Sequence, residues 1–149
     1  MTDMTSAKPV LVNFAELEDA FLFVSFGIQH ENNAYICLDT GEIYYVSSTV
    51  DPEEDLPEDL EESDRYIAVP HKNELDLGRN LALSFVDQEL PGDYNTVAGF
   101  FRRRGAYGRF KQLLEDRGRL QQWYDFENHA TEEALRRWCE DNGIRLVEA

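Results

Sequence analysis

The sequence contains no apolar run long enough to cross a membrane. The longest such stretch, residues 20–24 with Phe26 just beyond it, is far shorter than a membrane-spanning helix requires. Residues 1–9 are expected to form a loose leader and show none of the parts of a secretory signal. Only two cysteines, Cys37 and Cys139, are present, far apart in the chain. They predict buried, reduced thiols and a cytoplasmic protein.

The sequence also lacks the spacings that carry metal or nucleophile chemistry. Its three histidines and two cysteines form no C-x-x-C or H-E-x-x-H pattern. Gly105 and Gly108 do not make a phosphate loop, because no strand precedes them and the Walker spacing is missing. We therefore expect no cofactor, no bound metal and no catalytic residue of these classes.

Acidic residues outnumber basic ones by thirty to fourteen, which gives a net charge of −16. The resulting pI near 4.4 argues against nonspecific binding of the whole molecule to nucleic acid or an anionic membrane. A hydrophobic content of 42% excludes a disordered chain despite this charge. The length of 149 residues suits a single domain, predicted to span residues 1–149.

Positive charge is concentrated in one stretch. Residues 102–119, called the basic segment, hold seven of the fourteen Lys and Arg against only Glu115 and Asp116. The segment has a local balance of +5, so the remaining residues sum to −21. Such segregation creates a surface of defined sign, which can steer an anionic partner or hold the protein's own acidic segments.

The first half of the chain predicts one helix and three strands. Asn13 with Glu16 has the form of a capping box, and the helix that follows is expected to stop at Gly27. Residues 34–38 and 43–47 are typical of a β-hairpin, and residues 65–69 of a third strand. Between them, residues 51–64 carry nine acidic side chains and two prolines, which predict an extended, mobile loop.

Everything after Asn73 is predicted to be helical. The expected helices run from Asn73 to about residue 90, from Asn95 to a left-handed stop at Gly105, and from residue 107 to 118. A last helix is expected over residues 120–142, with a break near Thr131 and a cap at Gly143. The fold class is therefore α+β, a small antiparallel sheet of about three strands packed against a C-terminal helical layer.

Asp39-Thr40-Gly41 is the triplet of aspartic proteases, in which two such loops share a proton between carboxylates. This chain has one copy, so activity would need a dimer that meets at this loop. Glu42 also places a charge where the protease pattern has a small residue. Turn chemistry is the favoured interpretation, and a hydrolase using Asp39 is a remote alternative.

The candidate binding residues lie around the junction that Gly105 makes between two helices. They are Arg102, Arg103, Arg104, Tyr107, Arg109 and Lys111. Arg104 lies seven residues after Val97, so it is expected to continue an apolar stripe and to be paired or ligand-facing. Backbone N–H groups at the start of the next helix can add to an anion site. Three uses remain open: pairing with carboxylates of the same chain, binding of phosphate or nucleic acid, and binding of a partner protein.

The stretch around this junction resembles a signature of an uncharacterised family of small bacterial proteins, a "UPF" group of unknown function. The resemblance is carried by residues 104–111, Leu113-Leu114, Trp123-Tyr124-x-Phe126, residues 38–42, residues 65–70 and residues 138–143, and it covers roughly residues 13–147. Gly108 stands where a basic residue is usual, and Arg103 where a glycine is usual. The resemblance implies one unified domain and brings no established activity, cofactor or catalytic residue.

The sequence thus favours a non-enzymatic protein-interaction or regulatory module that uses the basic helical junction and binds an unidentified protein partner. The alternative is a phosphate- or RNA-binding regulator that uses the same cations, with Tyr107 stacking on a base. Nucleic acid is disfavoured by the net charge, a membrane is not expected, and the oligomeric state leaves no signal in the sequence.

Overall fold

A computed structural model of the chain describes residues 10–26, 31–47, 56–57, 59–60 and 62–148. The predicted leader, the helix stop at Gly27 and much of the acidic loop (residues 51–55, 58 and 61) lie outside this description. Contacts group the chain into two compact units. One, called the β-sheet unit, comprises Met1–Lys72 and Leu135–Ala149, and the other, called the helical unit, comprises Asn73–Ala134. The single domain stays a prediction.

In its described residues, the β-sheet unit holds one whole helix and five short strands. Its elements are β1 (Val10–Asn13), α1 (Phe14–Ser25), β2 (Asn32–Cys37), β3 (Ile43–Ser47), β4 (Tyr66–Ala68) and, at the end of the chain, β5 (Ile144–Val147). The predicted cap of α1 is confirmed, because the Asn13 side chain accepts a hydrogen bond from the Glu16 N–H at 3.1 Å. Helical spacing puts one face of α1 into the core: Leu17, Ala20, Phe21 and Val24 are buried.

The predicted three-stranded antiparallel sheet is confirmed, with strand order β3-β2-β4. Its hairpin closes where the Gly41 N–H donates to the Cys37 carbonyl at 2.8 Å. Gly41 has φ +82°, and a Cβ there would lie 2.3 Å from the carbonyl oxygen of Leu11. The turn therefore requires glycine for its backbone conformation and for the close approach of β1. The end of the acidic stretch differs from an extended loop, because it forms turns and buries Leu60.

The expectation of helix alone after Asn73 is wrong at the end of the chain. There β5 pairs in parallel with β1, in a register that sets Val10 beside Ile144 and Val12 beside Leu146. Each strand has only four residues, too short to show a clear period. Strands that pair in parallel are not joined by a short turn, so no turn signal in the sequence indicates this pairing.

The helical unit contains four elements and part of a fifth. They are α2 (Arg79–Glu89), a 3-10 turn (Pro91–Asp93), α3 (Tyr94–Phe100), α4 (Ala106–Asp116) and α5 (Leu120–Asp141), and α5 continues into the β-sheet unit. The predicted caps Asn73 and Asn95 are wrong. Asn73 is followed by turns, and α2 begins after Gly78, while Asn95 lies inside α3. The expected break at Thr131 is also wrong, because α5 is continuous.

The core of the helical unit is built around Trp123. Its ring lies edge-on to Phe85 and Phe110, with centroids 5.4 and 5.0 Å apart, and stacks on Phe126. The fully buried members of this cluster are Ala82, Phe85, Val86, Val97, Phe110, Leu114 and Trp123. Burial of large aromatic side chains contributes on the order of 1.5–3 kcal/mol each. This core fixes α3 and α4 and hence the connection between them.

The fold class is confirmed as α+β, with a three-stranded antiparallel sheet and a C-terminal helix. No helix in the described parts of the chain is long and apolar enough to span a membrane. Both predicted thiols are free and buried.

Candidate anion-binding site

The basic segment begins in a tight turn between α3 and α4. Turn bonds continue past the end of α3, where the Arg102 N–H donates to Gly99 and the Arg103 N–H to Phe100. Gly105 then takes φ +76°, the left-handed conformation predicted for it, and α4 starts at the next residue. The turn is held in place by Phe101, whose ring packs on aromatic residues of α4.

The placement predicted for Arg104 is wrong. The sequence places it on the apolar stripe of α3, but α3 ends at Phe100, so Arg104 lies in the turn and is exposed. The seven-residue spacing puts two side chains on one face only within a continuous helix, because the side-chain directions change once the chain turns. Arg104 therefore needs no buried partner.

Three of the predicted arginines are brought together at one open cleft. Arg102 and Arg103 from the turn and Arg109 from α4 line a cavity of about 530 Å³, with Gly99 and Phe100 completing its lining. All three arginines are exposed. A cavity lined by three exposed arginines is a site of concentrated positive charge, at which one anion can accept hydrogen bonds from several N–H groups.

The cations of the basic segment fall into two groups by their partners. Arg117 donates two hydrogen bonds to Asp93, each 3.0 Å long, and Arg119 pairs with Glu89 at 3.2 Å. Internal pairing therefore occurs at the end of the segment, at two arginines outside the predicted candidate set. In contrast, five cations, called the basic junction, form no ion pair with any carboxylate in the described residues. They are Arg102, Arg103, Arg104, Arg109 and Lys111.

The Arg117–Asp93 pair shows the geometry of an arginine of the basic segment that already has a carboxylate partner. The two hydrogen bonds from Arg117 hold the pKa of the Asp93 carboxyl below its ordinary value, and the same contact raises the pKa of Arg117. This is the fork-to-carboxylate geometry that gives arginine its directional binding. The guanidinium groups at the cleft offer the same donors to an external anion.

Lys111 and Tyr107 are positioned differently from the cleft arginines. The Lys111 ammonium lies 5.7 Å from the ring centroid of Tyr124 on α5, a cation–π contact. The Tyr107 ring is partly buried and packs edge-on against Phe101, with centroids 5.1 Å apart. Burial, and secondarily the charge of Glu127, raises the pKa of Tyr107. Base stacking by Tyr107 stays a prediction.

The start of α4 directly follows the turn that carries Arg102 and Arg103. Its N-cap residue, Gly105, makes no side-chain hydrogen bond to the first turn, which leaves backbone N–H groups without a side-chain cap. A Cβ added at Gly99, Gly105 or Gly108 would meet nothing within 4 Å. A ligand can therefore approach the backbone here without displacing a side chain.

Two lining residues were missed in the sequence, Gly99 and Phe100. Gly99 carries a weak signal, because an isolated glycine inside a helix costs about 1 kcal/mol relative to alanine. Phe100 gives no comparable signal, since aromatic residues at this spacing are ordinary core residues.

Asp39, the candidate of the remote hydrolase alternative, lies in the hairpin turn as an exposed residue. Its carboxylate pairs with Arg65 at 3.0 Å. In the same turn, the Thr40 hydroxyl accepts a hydrogen bond from the Glu42 N–H, and the Glu42 carboxylate accepts one from Tyr44. The Glu42 contact raises the pKa of Tyr44 to about 12. These contacts account for the triplet as turn residues.

A second cleft, of about 390 Å³, lies in the β-sheet unit beside Cys139. Burial raises the pKa of the Cys139 thiol to about 11, against a smaller opposing effect of Arg136. The thiol is therefore protonated at neutral pH and is a poor nucleophile. Arg136 itself forms an ion pair with Glu148 and lies over the ring of Phe14.

The described residues contain no cluster of His, Cys, Asp and Glu able to hold a metal ion.

Comparison with known proteins gives a family for the chain. The profile of the uncharacterised protein family UPF0158 matches residues 7–149. A protein of Pseudomonas aeruginosa strain PAO1, described as UPF0158 protein PA5073, is 30% identical over 141 residues, which cover 93% of this chain and 87% of the relative. No solved structure matches. The match extends across both units, and the chain belongs to the uncharacterised family UPF0158.

Proposed function

We propose that this protein is a non-enzymatic binding module, which recognises an anionic segment of a partner protein through the basic junction. The observation that carries the proposal is the contrast within the basic segment. Arg117 and Arg119 are paired with carboxylates of the same unit, whereas Arg102, Arg103 and Arg109 line an open cleft with no described ion pair. Exposed cations clustered in this way are available to a second molecule.

The charge of the rest of the chain favours a short anionic segment over a long nucleic acid. At physiological ionic strength, charges act over about 8 Å, so the junction attracts an anion that enters the cleft. A long polyanion would extend past the junction and meet a molecule of net charge −16. The RNA-binding alternative also loses support because the ring of Tyr107 already packs against Phe101.

A binding role is also supported by the chemistry of the cleft lining. Arginine stays protonated at all physiological pH values, so it cannot exchange protons as a general acid or base. The other lining residues, Gly99 and Phe100, carry no reactive group.

A cytoplasmic location belongs to the same proposal and is supported by the two buried, free thiols.

The proposal is tested with a fluorescently labelled acidic peptide that carries several glutamates and one phosphoserine. Its binding is followed by fluorescence anisotropy at low and physiological salt. The test variant is Arg103→Ala/Arg109→Ala. The matched control is Arg79→Ala/Arg137→Ala, which removes two exposed arginines outside the junction and changes the net charge equally. We expect the test variant to lose at least about tenfold in affinity and the control less than about threefold.

Equal losses in the two variants would mean that net charge alone sets the binding, and the proposal would be wrong. Absence of binding to the unmodified protein at low salt would also overturn it. A single-stranded RNA oligonucleotide serves as the competing ligand. If RNA binds more tightly than the peptide through the same two arginines, the nucleic-acid alternative replaces the proposal.

A further inference from the structure

We infer that the group recognised at the basic junction is a phosphate monoester, carried on a phosphorylated side chain of the partner segment. This inference rests on the proposed function and specifies its ligand. It concerns the cleft formed by Arg102, Arg103 and Arg109 and the adjoining start of α4.

The number of cations in the cleft fits a phosphate better than a carboxylate. A single carboxylate carries one charge and is satisfied by one guanidinium fork, as the Arg117–Asp93 pair in the same unit demonstrates. A phosphate monoester carries about −1.5 to −2 charges at neutral pH and presents three acceptor oxygens. Three guanidinium groups at one cavity match that charge and that number of acceptors.

The start of α4 adds an independent preference for a compact anion. The N-cap Gly105 offers no side chain to the first turn, and the positive end of the helix dipole lies there. The Cβ positions of Gly105 and Gly108 are open to space, so an oxygen-rich ligand can come close to the backbone. Arg109 is the fourth residue of the same helix and lines the cleft.

The size and lining of the cleft favour a monoester on a peptide over a nucleoside triphosphate. A volume of about 530 Å³ exceeds what a bare phosphate fills and leaves room for the chain that carries it. Nucleoside triphosphates are normally bound with Mg²⁺, which needs carboxylate oxygens beside the phosphates. The lining residues of the cleft include no carboxylate.

The test compares two labelled peptides that differ at one position, one with phosphoserine and one with glutamate. We expect the phosphoserine peptide to bind at least about tenfold more tightly at pH 7.5, because the dianion engages more of the donors. The preference should fall as the pH is lowered through about 6, where the phosphate takes up its second proton while glutamate stays charged. Free O-phosphoserine should compete, and free glutamate should compete less.

Variants separate charge from geometry. Arg103→Lys keeps the charge but loses the planar fork, so it should lower the preference for phosphoserine more than it lowers binding of the glutamate peptide. Arg103→Ala/Arg109→Ala should lose the preference altogether. Arg79→Ala/Arg137→Ala should keep it. Because all four arginines are exposed, folding is checked in each variant by its unfolding midpoint in urea.

The outcomes distinguish this inference from the proposed function. If both peptides bind equally and both need Arg103 and Arg109, the proposed binding function stands and the phosphate inference is wrong. If the phosphoserine preference persists in Arg103→Ala/Arg109→Ala, the phosphate is recognised elsewhere and the inference is also wrong. If neither peptide binds the unmodified protein, both proposals fail together.

Discussion

Two glycines at the start of α4 should respond to the same substitution with opposite signs. Gly105 has φ +76°, and Gly108 lies inside the helix. A Cβ at either position meets nothing within 4 Å, so only the backbone distinguishes them. In Gly105→Ala, the left-handed conformation costs about 1–2 kcal/mol, partly offset by about 0.4–1 kcal/mol from the less flexible unfolded chain. In Gly108→Ala, the better helix former gains about 0.5–1 kcal/mol.

The two variants should therefore differ by about 0.5–2.6 kcal/mol in the free energy of unfolding, although each adds the same methyl group. The measurement is urea unfolding followed by the fluorescence of the buried Trp123, in a chain where Trp138→Phe removes the second tryptophan signal. Both midpoints should move without a change in the slope m. Stabilisation by Gly105→Ala, or destabilisation of similar size by both variants, would refute the backbone argument.

Two further predictions concern other contacts. Gly41→Ala should lower the free energy of unfolding by roughly 2–4 kcal/mol, more than Gly105→Ala, because it adds a clash with the Leu11 carbonyl to the left-handed strain. Urea unfolding measures this loss. A loss no larger than that of Gly105→Ala would contradict the prediction. Asp93→Asn tests the pairing with Arg117, which holds the pKa of the Asp93 carboxyl low. The contribution of the pair is present above the unfolded-state pKa of about 3.9 and is lost as the pH falls through the lower folded-state pKa. Unfolding midpoints of the variant and the unmodified protein should therefore differ at pH 7 and converge in acid, and a constant difference down to pH 2 would contradict the assignment.

Features with a local cause could be predicted from the sequence. The cap at Asn13, the hairpin turn at Gly41 and the left-handed Gly105 each depend on a few adjacent residues, and the structure has all three. The antiparallel sheet followed from the same kind of signal, because short turns connect its first two strands.

Features that depend on distant residues could not be predicted. The β1–β5 ladder joins Val10–Asn13 to a strand at the other end of the sequence, and no local pattern indicates that pairing. Residue type also predicts the start of α2 incorrectly, because it places the helix cap at Asn73. However, Asn73 lies in a run of turns, and α2 begins only after Gly78.

The candidate site was predicted in its location and only partly in its arrangement. The cluster of basic residues around Gly105 predicts that Arg102, Arg103 and Arg109 lie near one another, and the three line one cleft. The sequence could not show that Arg117 and Arg119 pair within the chain, because their partners lie more than twenty residues away.

The parallel ladder between β1 and β5 has a consequence for how the protein is made. During synthesis, Val10–Asn13 leaves the ribosome long before Ile144–Val147 exists, so this early strand has no ladder partner while most of the chain is translated. Asn73–Ala134, by contrast, is one continuous segment whose contacts can form as soon as it emerges. The helical unit is therefore expected to fold first, and the β-sheet unit is completed only when the last strand is released.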